Sequence, residues 1–98
     1  MTTLSTYYGV LRRAHELLRP AVYLEIGVHE GHSLAFVQRG TRSIGVDPAP
    51  QVADPPPDTT IVAATSDDFF ARPDVDDLLG GPVDLAFCLL YTSDAADD

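Results

Sequence analysis

A chain of 98 residues is long enough for one compact domain and too short for two. Hydrophobic residues make up 45% and charged residues 21%, which is typical of a globular domain and excludes a disordered one. Acidic residues outnumber basic ones by 15 to 6, and the net charge of -9 argues against nucleic acid or an anionic membrane surface as a partner. With no apolar run near the roughly 20 residues that cross a bilayer, we expect a cytoplasmic domain.

The first half of the chain predicts helix and strand in alternation. Apolar residues at three- and four-residue steps favour a helix over 5–19, which Pro20 ends. The run AVYLEI over 21–26 favours a strand buried on both faces. A second helix over 31–39, with Gly40 as its C-terminal cap, and a second strand over 42–46 follow.

The second half begins with an irregular connection, since five prolines fall within 48–60. A third strand is predicted over 61–64, and Ser66 with Asp67 is predicted to cap the next helix. Phe69 and Phe70 are expected in the core. A short helix over 73–79, a turn over 80–82 and a fourth strand over 83–87 complete the pattern.

Strand–helix–strand alternation predicts a parallel sheet. The fold class expected is therefore α/β, a Rossmann-like doubly wound sheet truncated after about four strands. With so few strands, the helices are expected mainly on one face.

The last residues, CLLYTSDAADD, differ in character from the rest. Residues 88–93 can be back-translated as TGTCTCTTATACACATCT, which resembles the end of a transposase-based sequencing adapter. We therefore expect 1–87 to be a partial domain that naturally continues beyond Phe87, and 88–98 to be a non-native tail. A solvated Ala/Asp tail is the alternative interpretation.

The chemistry is concentrated in the segment Glu25-Ile26-Gly27-Val28-His29-Glu30-Gly31, where the first strand meets the next helix. Glycine at such a turn lets the backbone approach a ligand closely. In an open α/β sheet ligands bind beyond the carboxyl ends of strands, so this turn is the expected pocket. Loop histidines, including His29 and His32, are more often solvated than catalytic.

Asp47 follows Gly27 by twenty residues and ends the second predicted strand. A carboxylate at that place can accept hydrogen bonds from both hydroxyls of a ribose. Ser66 and Asp67, after the third strand, lie on the same rim and are candidates for contact with an adenine edge. The set as a whole indicates an adenosine-type nucleoside.

The charges near the turn select between such nucleosides. A pyrophosphate is disfavoured beside Glu25 and Glu30, because like charges repel in a partly buried cleft. The sulfonium and ammonium of S-adenosylmethionine suit acidic groups instead. The sequence also has no Gly-Lys-Ser/Thr phosphate-binding element, and its single Cys88 excludes an internal disulfide and a multi-cysteine metal site.

At these positions the chain resembles class I S-adenosylmethionine-dependent methyltransferases. The resemblance spans residues 8–87 and is carried by four segments in order, which are 24–31, 44–48, 65–70 and 83–87. It implies that Glu25, Gly27 and Gly31 surround the methionine end of the cofactor. It further implies that Asp47 holds the ribose and that Ser66 or Asp67 contacts the adenine.

The resemblance also implies an enzyme that transfers a methyl group to a small-molecule acceptor, as an O-methylation in its intact form. Relatives continue the fourth strand into an acidic segment beside the methyl group, whereas this chain has Cys88, Leu89 and Leu90 there. No catalytic residue is assigned for that reason. Two alternatives stay open, a dehydrogenase half-domain that binds NAD(P) and a catalytically inert truncated product.

Overall fold

A computed structural model describes residues 3–88, in which four strands form one all-parallel sheet. The strands are β1 (Val22–Ile26), β2 (Arg42–Asp47), β3 (Thr59–Ala63) and β4 (Leu85–Cys88), in the order β3-β2-β1-β4. Because β1 pairs with β2 on one side and β4 on the other, the chain switches direction across the sheet beside β1. The predicted α/β fold with a Rossmann-like parallel sheet is confirmed. Of the expected tail over 88–98, Cys88 is the last residue of β4, and 89–98 lie outside the described residues.

The first helix, α1 (Thr3–Leu18), matches the predicted amphipathic segment. Leu11 and His15 are buried on its inner face, whereas Arg12 and Arg13 are exposed. Pro20 follows the helix, and its rigid ring disfavours helical geometry in the residue before it.

Helices cover both faces of the sheet, so the expectation of helices mainly on one face is wrong. Successive residues of a strand point to opposite faces, and successive residues of β1 belong to two separate apolar clusters. One cluster joins Leu24 to Phe69 and to α3 (Val75–Leu79), and the other joins Tyr23 to Leu11 and Leu34. The two clusters therefore place α1 on one side of the sheet and the helices α2 (Ser66–Phe70) and α3 on the other.

The predicted helix over 31–39 is wrong in length and type. Only Ser33–Phe36 is helical, as a 3₁₀ helix, and Val37 is already extended. Burial of Leu34 against α1 anchors this single turn without a longer helix. Gly40 lies in a separate turn, in which the N–H of Thr41 donates to the carbonyl of Gln38 over 3.2 Å.

The N-cap of α2 (Ser66–Phe70), the helix after β3, lies one residue before the predicted cap Ser66. Thr65 is the N-cap, because its hydroxyl accepts from the N–H of Asp68 over 3.1 Å. Phe69 is fully buried as expected, whereas Phe70 is 54% exposed and is not a core residue. Adjacent residues of an α-helix are about 100° apart, so only one of the two side chains faces the core.

Candidate functional site

The loop after β1 is folded tightly against the end of β2. The N–H of Gly27 donates to the carbonyl of Val46 over 2.7 Å, and Gly31 closes a turn on Val28 over 2.8 Å. Gly27 and Gly31 have φ of +87° and +88°, which glycine adopts at little steric cost. The two glycines of the sequence motif are therefore required by the backbone of this loop.

Asp47 joins the loop after β1 to the loop after β2. Its Oδ2 accepts from the N–H of His29 over 3.0 Å, and its Oδ1 accepts from the N–H of Ala49 over 2.8 Å. The residue is only 3% exposed. Each carboxylate oxygen therefore has one backbone donor already, and the side chain is enclosed by the loops that it connects.

The loop after β2 also packs directly on the glycine turn. The N–H of Gln51 donates to the carbonyl of His29 over 2.8 Å. A Cβ placed on Gly31 would lie 3.1 Å from Cγ1 of Val52, a distance that leaves no room for a side chain without movement of that valine. The two loops thus form one packed unit at the carboxyl edge of the sheet.

Glu25 lies beneath this unit with its side chain fully buried. Its Oε1 accepts from the hydroxyl of Tyr23 over 2.6 Å, and its Oε2 accepts from the hydroxyl of Ser33. Burial raises the pKa of Glu25, and the two hydrogen bonds oppose that rise in part. Burial and the neighbouring carboxylate raise the pKa of Tyr23, which therefore remains a donor.

Acidic groups also influence the side of the site that faces α1. Tyr8 packs edge-on against Phe36 with ring centroids 5.8 Å apart. Burial raises the pKa of Tyr8, and the negative charges of Glu25 and Glu30 raise it further. The environment at this corner is therefore both partly desolvated and negative.

The structure brings four of the six predicted site residues together. Glu25, Gly27, Gly31 and Asp47 lie in or beside the two packed loops. Ser66, half-buried, and Asp67, exposed, lie at the start of α2, which follows β3, one strand further from β1. The N–H of Ala64, at the end of β3, donates to the carbonyl of Asp47 over 3.0 Å and links that region to the loops.

Sequence reasoning missed three residues that shape this site, Tyr23, Ser33 and Val52. The alternation of β1 places Tyr23 and Glu25 on one face, so that pair carried a signal. Ser33 and Val52 belong to irregular segments, for which no periodicity indicates a contact. Both His29 and His32 are exposed, and His32 lies 2.8 Å from Glu30.

The charged side chains near the two loops suit a cationic ligand better than a phosphate. Three carboxylates, those of Glu25, Glu30 and Asp47, lie at or near this edge, whereas Arg42 binds carbonyls of α3 from the opposite, amino end of β2. The edge that carries the two loops therefore has more acidic than basic side chains. Asp47 and Glu25 are buried in this conformation. Two cavities lined by described residues, of about 310 and 640 Å³, lie away from them, at the amino ends of β2 and β3 and on α1.

No protein-family model matches this chain, and no curated protein matches it. Among residues 3–88, no helix is both long and apolar enough to span a bilayer. The same residues contain no group of three or more side chains arranged to hold a metal ion. What supports a function is therefore the fold and the geometry of the two loops.

Proposed function

We propose that this chain is the cofactor-binding part of a class I S-adenosylmethionine-dependent methyltransferase that, in its intact form, methylates an oxygen of a small-molecule acceptor. The observation that carries the proposal is the contact between Asp47 and the N–H of His29, 3.0 Å long. It joins a glycine turn and an acidic strand end beside the switch point of a parallel sheet, where α/β proteins bind nucleosides.

In this proposal, the backbone of Gly27 and Gly31 approaches the methionine part of the cofactor, and Asp47 accepts hydrogen bonds from the ribose. Oδ2 and Oδ1 of Asp47 accept from the N–H groups of His29 and Ala49, so the ribose hydroxyls would share the carboxylate with these backbone donors. The enclosed carboxylate must become more exposed for a ribose to reach it. We therefore expect the loop over 48–52 to move when the cofactor binds.

Glu25 has a different part in the proposal, because its side chain is fully enclosed and both oxygens are engaged. Its hydrogen bond to Ser33 fixes the 3₁₀ turn that follows the glycine loop. Ser66 and Asp67 at the start of α2 are the proposed adenine contacts. The bound sulfonium supplies an electrophilic methyl group, and the residues of this chain bind and orient it.

The test is a comparison of ligands on the full chain by isothermal titration calorimetry and thermal shift. We expect S-adenosylmethionine and S-adenosylhomocysteine to bind and to raise the melting temperature, with NAD weaker than either. Tighter binding of NAD would favour the dehydrogenase half-domain instead. Absence of binding by all three ligands, with broad unfolding, would favour an inert product.

The residue test uses Asp47→Ala, which we expect to weaken S-adenosylmethionine binding at least tenfold, about 1.4 kcal/mol. Asp58→Asn is the matched control, because it also removes one carboxylate, from an exposed turn at the amino end of β3. Asn also tolerates the left-handed conformation that Asp58 adopts, with φ of +59°. An unchanged dissociation constant in Asp47→Ala, folded as judged by circular dichroism, would refute the ribose assignment.

A further inference from the structure

A histidine of α1 is buried against the sheet. His15 is 0% exposed, and neither Nδ1 nor Nε2 has a partner among the described residues. Its ring packs against Tyr23 of β1, with centroids 4.4 Å apart and an angle of 71° between the planes. Buried polar atoms are almost always hydrogen-bonded in folded proteins, so a fully enclosed and unpartnered imidazole requires an explanation.

Among the described residues, no counter-ion is directed at this imidazole. On β1, the hydroxyl of Tyr23 donates to Glu25, and the other oxygen of Glu25 accepts from Ser33. Asp84, just before β4, is exposed and accepts from the N–H groups of Ala21 and Val22. The remaining charged groups on or beside the elements packed here are exposed, namely Arg12, Arg13, Glu16 and Arg19 of α1 and its end, and Glu30, His32 and Arg39 around the 3₁₀ helix.

The surroundings of His15 therefore favour the neutral imidazole over the charged imidazolium. An imidazolium is a pure donor and would have two buried N–H groups with no acceptor. Burial lowers the pKa of His15 below its ordinary value of about 6.5, and no charged neighbour contributes to the shift. Protonation is thus favoured only where the ring reaches water.

We propose that His15 makes the docking of α1 on the sheet sensitive to acid, so that mildly acidic conditions release this helix. Release of α1 also withdraws Tyr8, which lies at the corner near Glu25 and Glu30. The candidate site would therefore be uncovered from that side. The proposal goes beyond the proposed function and does not depend on which ligand the site binds.

The sign of the pH dependence follows from the direction of the pKa shift. Above pH of about 6.5 the imidazole is neutral whether α1 is docked or released, so the equilibrium does not depend on His15. Below that pH the released state takes up a proton and the docked state does not. The ratio of released to docked chains then rises, by as much as about tenfold per pH unit, until the lowered pKa is reached.

Protonation of Glu25 changes the stability of the fold in the opposite direction, so its effect must be separated from that of His15. Its pKa is raised in the folded chain, so the folded state takes up a proton before the unfolded state as the pH falls. Acidification therefore stabilises the fold through Glu25 while it destabilises α1 through His15. A comparison of the wild type with a His15 variant cancels the contribution of Glu25, because both proteins retain that residue.

The experiment measures hydrogen-exchange protection factors and urea unfolding of the full chain at pH 7.5 and 5.5, for the wild type, His15→Phe and the control His32→Gln. His32 is exposed, so its removal is the same kind of change at the surface of the chain. We expect the wild type to lose protection over residues 11–18 before residues 44–46 at pH 5.5. We expect the unfolding constant of the wild type to rise approximately tenfold more than that of His15→Phe, whereas His32→Gln follows the wild type.

An equal pH response of wild type and His15→Phe would overturn the proposal. If His15→Phe does not fold, an NMR titration of the wild-type ring replaces it. A ring that stays neutral below pH 6 while residues 11–18 remain protected, and that protonates as this protection is lost, supports the proposal. A ring that titrates near pH 6.5 with the helix still protected overturns it.

Discussion

Asp47 holds the backbone of His29, whose nitrogen lies 3.0 Å from Oδ2. The carboxylate at the end of one strand is thus the acceptor for the loop that follows its neighbour. Since Ala49 donates to the other oxygen, one side chain organises both loops of the candidate site. The ligand-binding role proposed for Asp47 must therefore be separated from its role in stabilising the loops.

The variant Asp47→Asn tests the role of Asp47 in stabilising the loops, through the free energy of unfolding. The amide keeps one acceptor oxygen but places an NH₂ group against a backbone N–H donor, so one part-buried donor loses its partner. We expect the free energy of unfolding to fall by about 1–3 kcal/mol, measured by urea denaturation at pH 7.5. Asp58→Asn should change it by less than about 0.5 kcal/mol, since that side chain is exposed. Equal effects of both variants would contradict the structural role of Asp47.

Gly45 is the position at which the sheet leaves room for the glycine loop. A Cβ there would lie 2.7 Å from Cγ1 of Val28 and 3.2 Å from Cδ1 of Ile61. Valine is stiff at χ1, so the loop that carries Val28 must move. We expect Gly45→Ala to lower the free energy of unfolding by about 1–3 kcal/mol and to weaken the binding of any ligand that contacts the loop.

Gly9→Ala is the matched control for that substitution, since a Cβ on Gly9 meets nothing within 4 Å. Gly9 lies inside α1, where alanine is favoured over glycine by about 0.8–1 kcal/mol. We therefore expect the same chemical change to stabilise the chain at this position. Destabilisation at Gly9, or a neutral result at Gly45, would contradict the packing described for these two glycines.

The pair Phe69 and Phe70 tests which side of α2 faces the core. Phe69 is fully buried and Phe70 is 54% exposed, although their rings touch with centroids 5.1 Å apart. We expect Phe69→Ala to cost about 3–5 kcal/mol of unfolding free energy and Phe70→Ala about 1 kcal/mol, part of it from the lost ring contact. Thermal and urea denaturation measure both. Similar costs would show that the helix is rotated relative to this description.

The same pair shows what the sequence could predict and what it could not. Apolar runs predicted all four strands and their parallel pairing, because buried strands have a strong and local signature. The bounds of two were wrong by one or two residues, since the strand predicted over 61–64 is Thr59–Ala63 and the one predicted over 83–87 is Leu85–Cys88. The orientation of Phe69 and Phe70 was not predictable, since a five-residue helix is too short to show a period. The single turn over Ser33–Phe36 was overpredicted for a related reason, as its helical pattern is cut short by packing of Leu34.

In the candidate site, too, some features could be predicted from the sequence and others could not. The positions of Gly27, Gly31 and Asp47 followed from their places after strands, because parallel strands end at one edge. The enclosure of Asp47 by Ala49 and the contact of Val52 with Gly31 did not, since they depend on how an irregular, proline-rich loop folds back. The S-adenosylmethionine assignment stays a prediction until a ligand is tested.

The pH dependence of stability tests the environment of Glu25. Its pKa is raised in the folded chain above the ordinary value of 4.5, chiefly by burial. The stabilisation associated with its proton is therefore complete below pH of about 4.5 and is lost as the pH rises through the raised pKa. Glu25→Gln has no proton to lose, and its amide is similar in shape, so the variant removes this pH dependence.

We expect the free energy of unfolding of the wild type, relative to Glu25→Gln, to fall as the pH rises above about 4.5, with a slope of up to about 1.4 kcal/mol per pH unit. The slope ends at the folded pKa, which the measurement thereby determines. His15 is present in both proteins and cancels in the difference. Glu16→Gln, at an exposed position of α1, is the control and should show no such slope. A flat difference between wild type and Glu25→Gln would mean that the carboxylate is ionised at no cost. Ser33 and Tyr23 would then compensate its burial completely, and the raised pKa would be wrong.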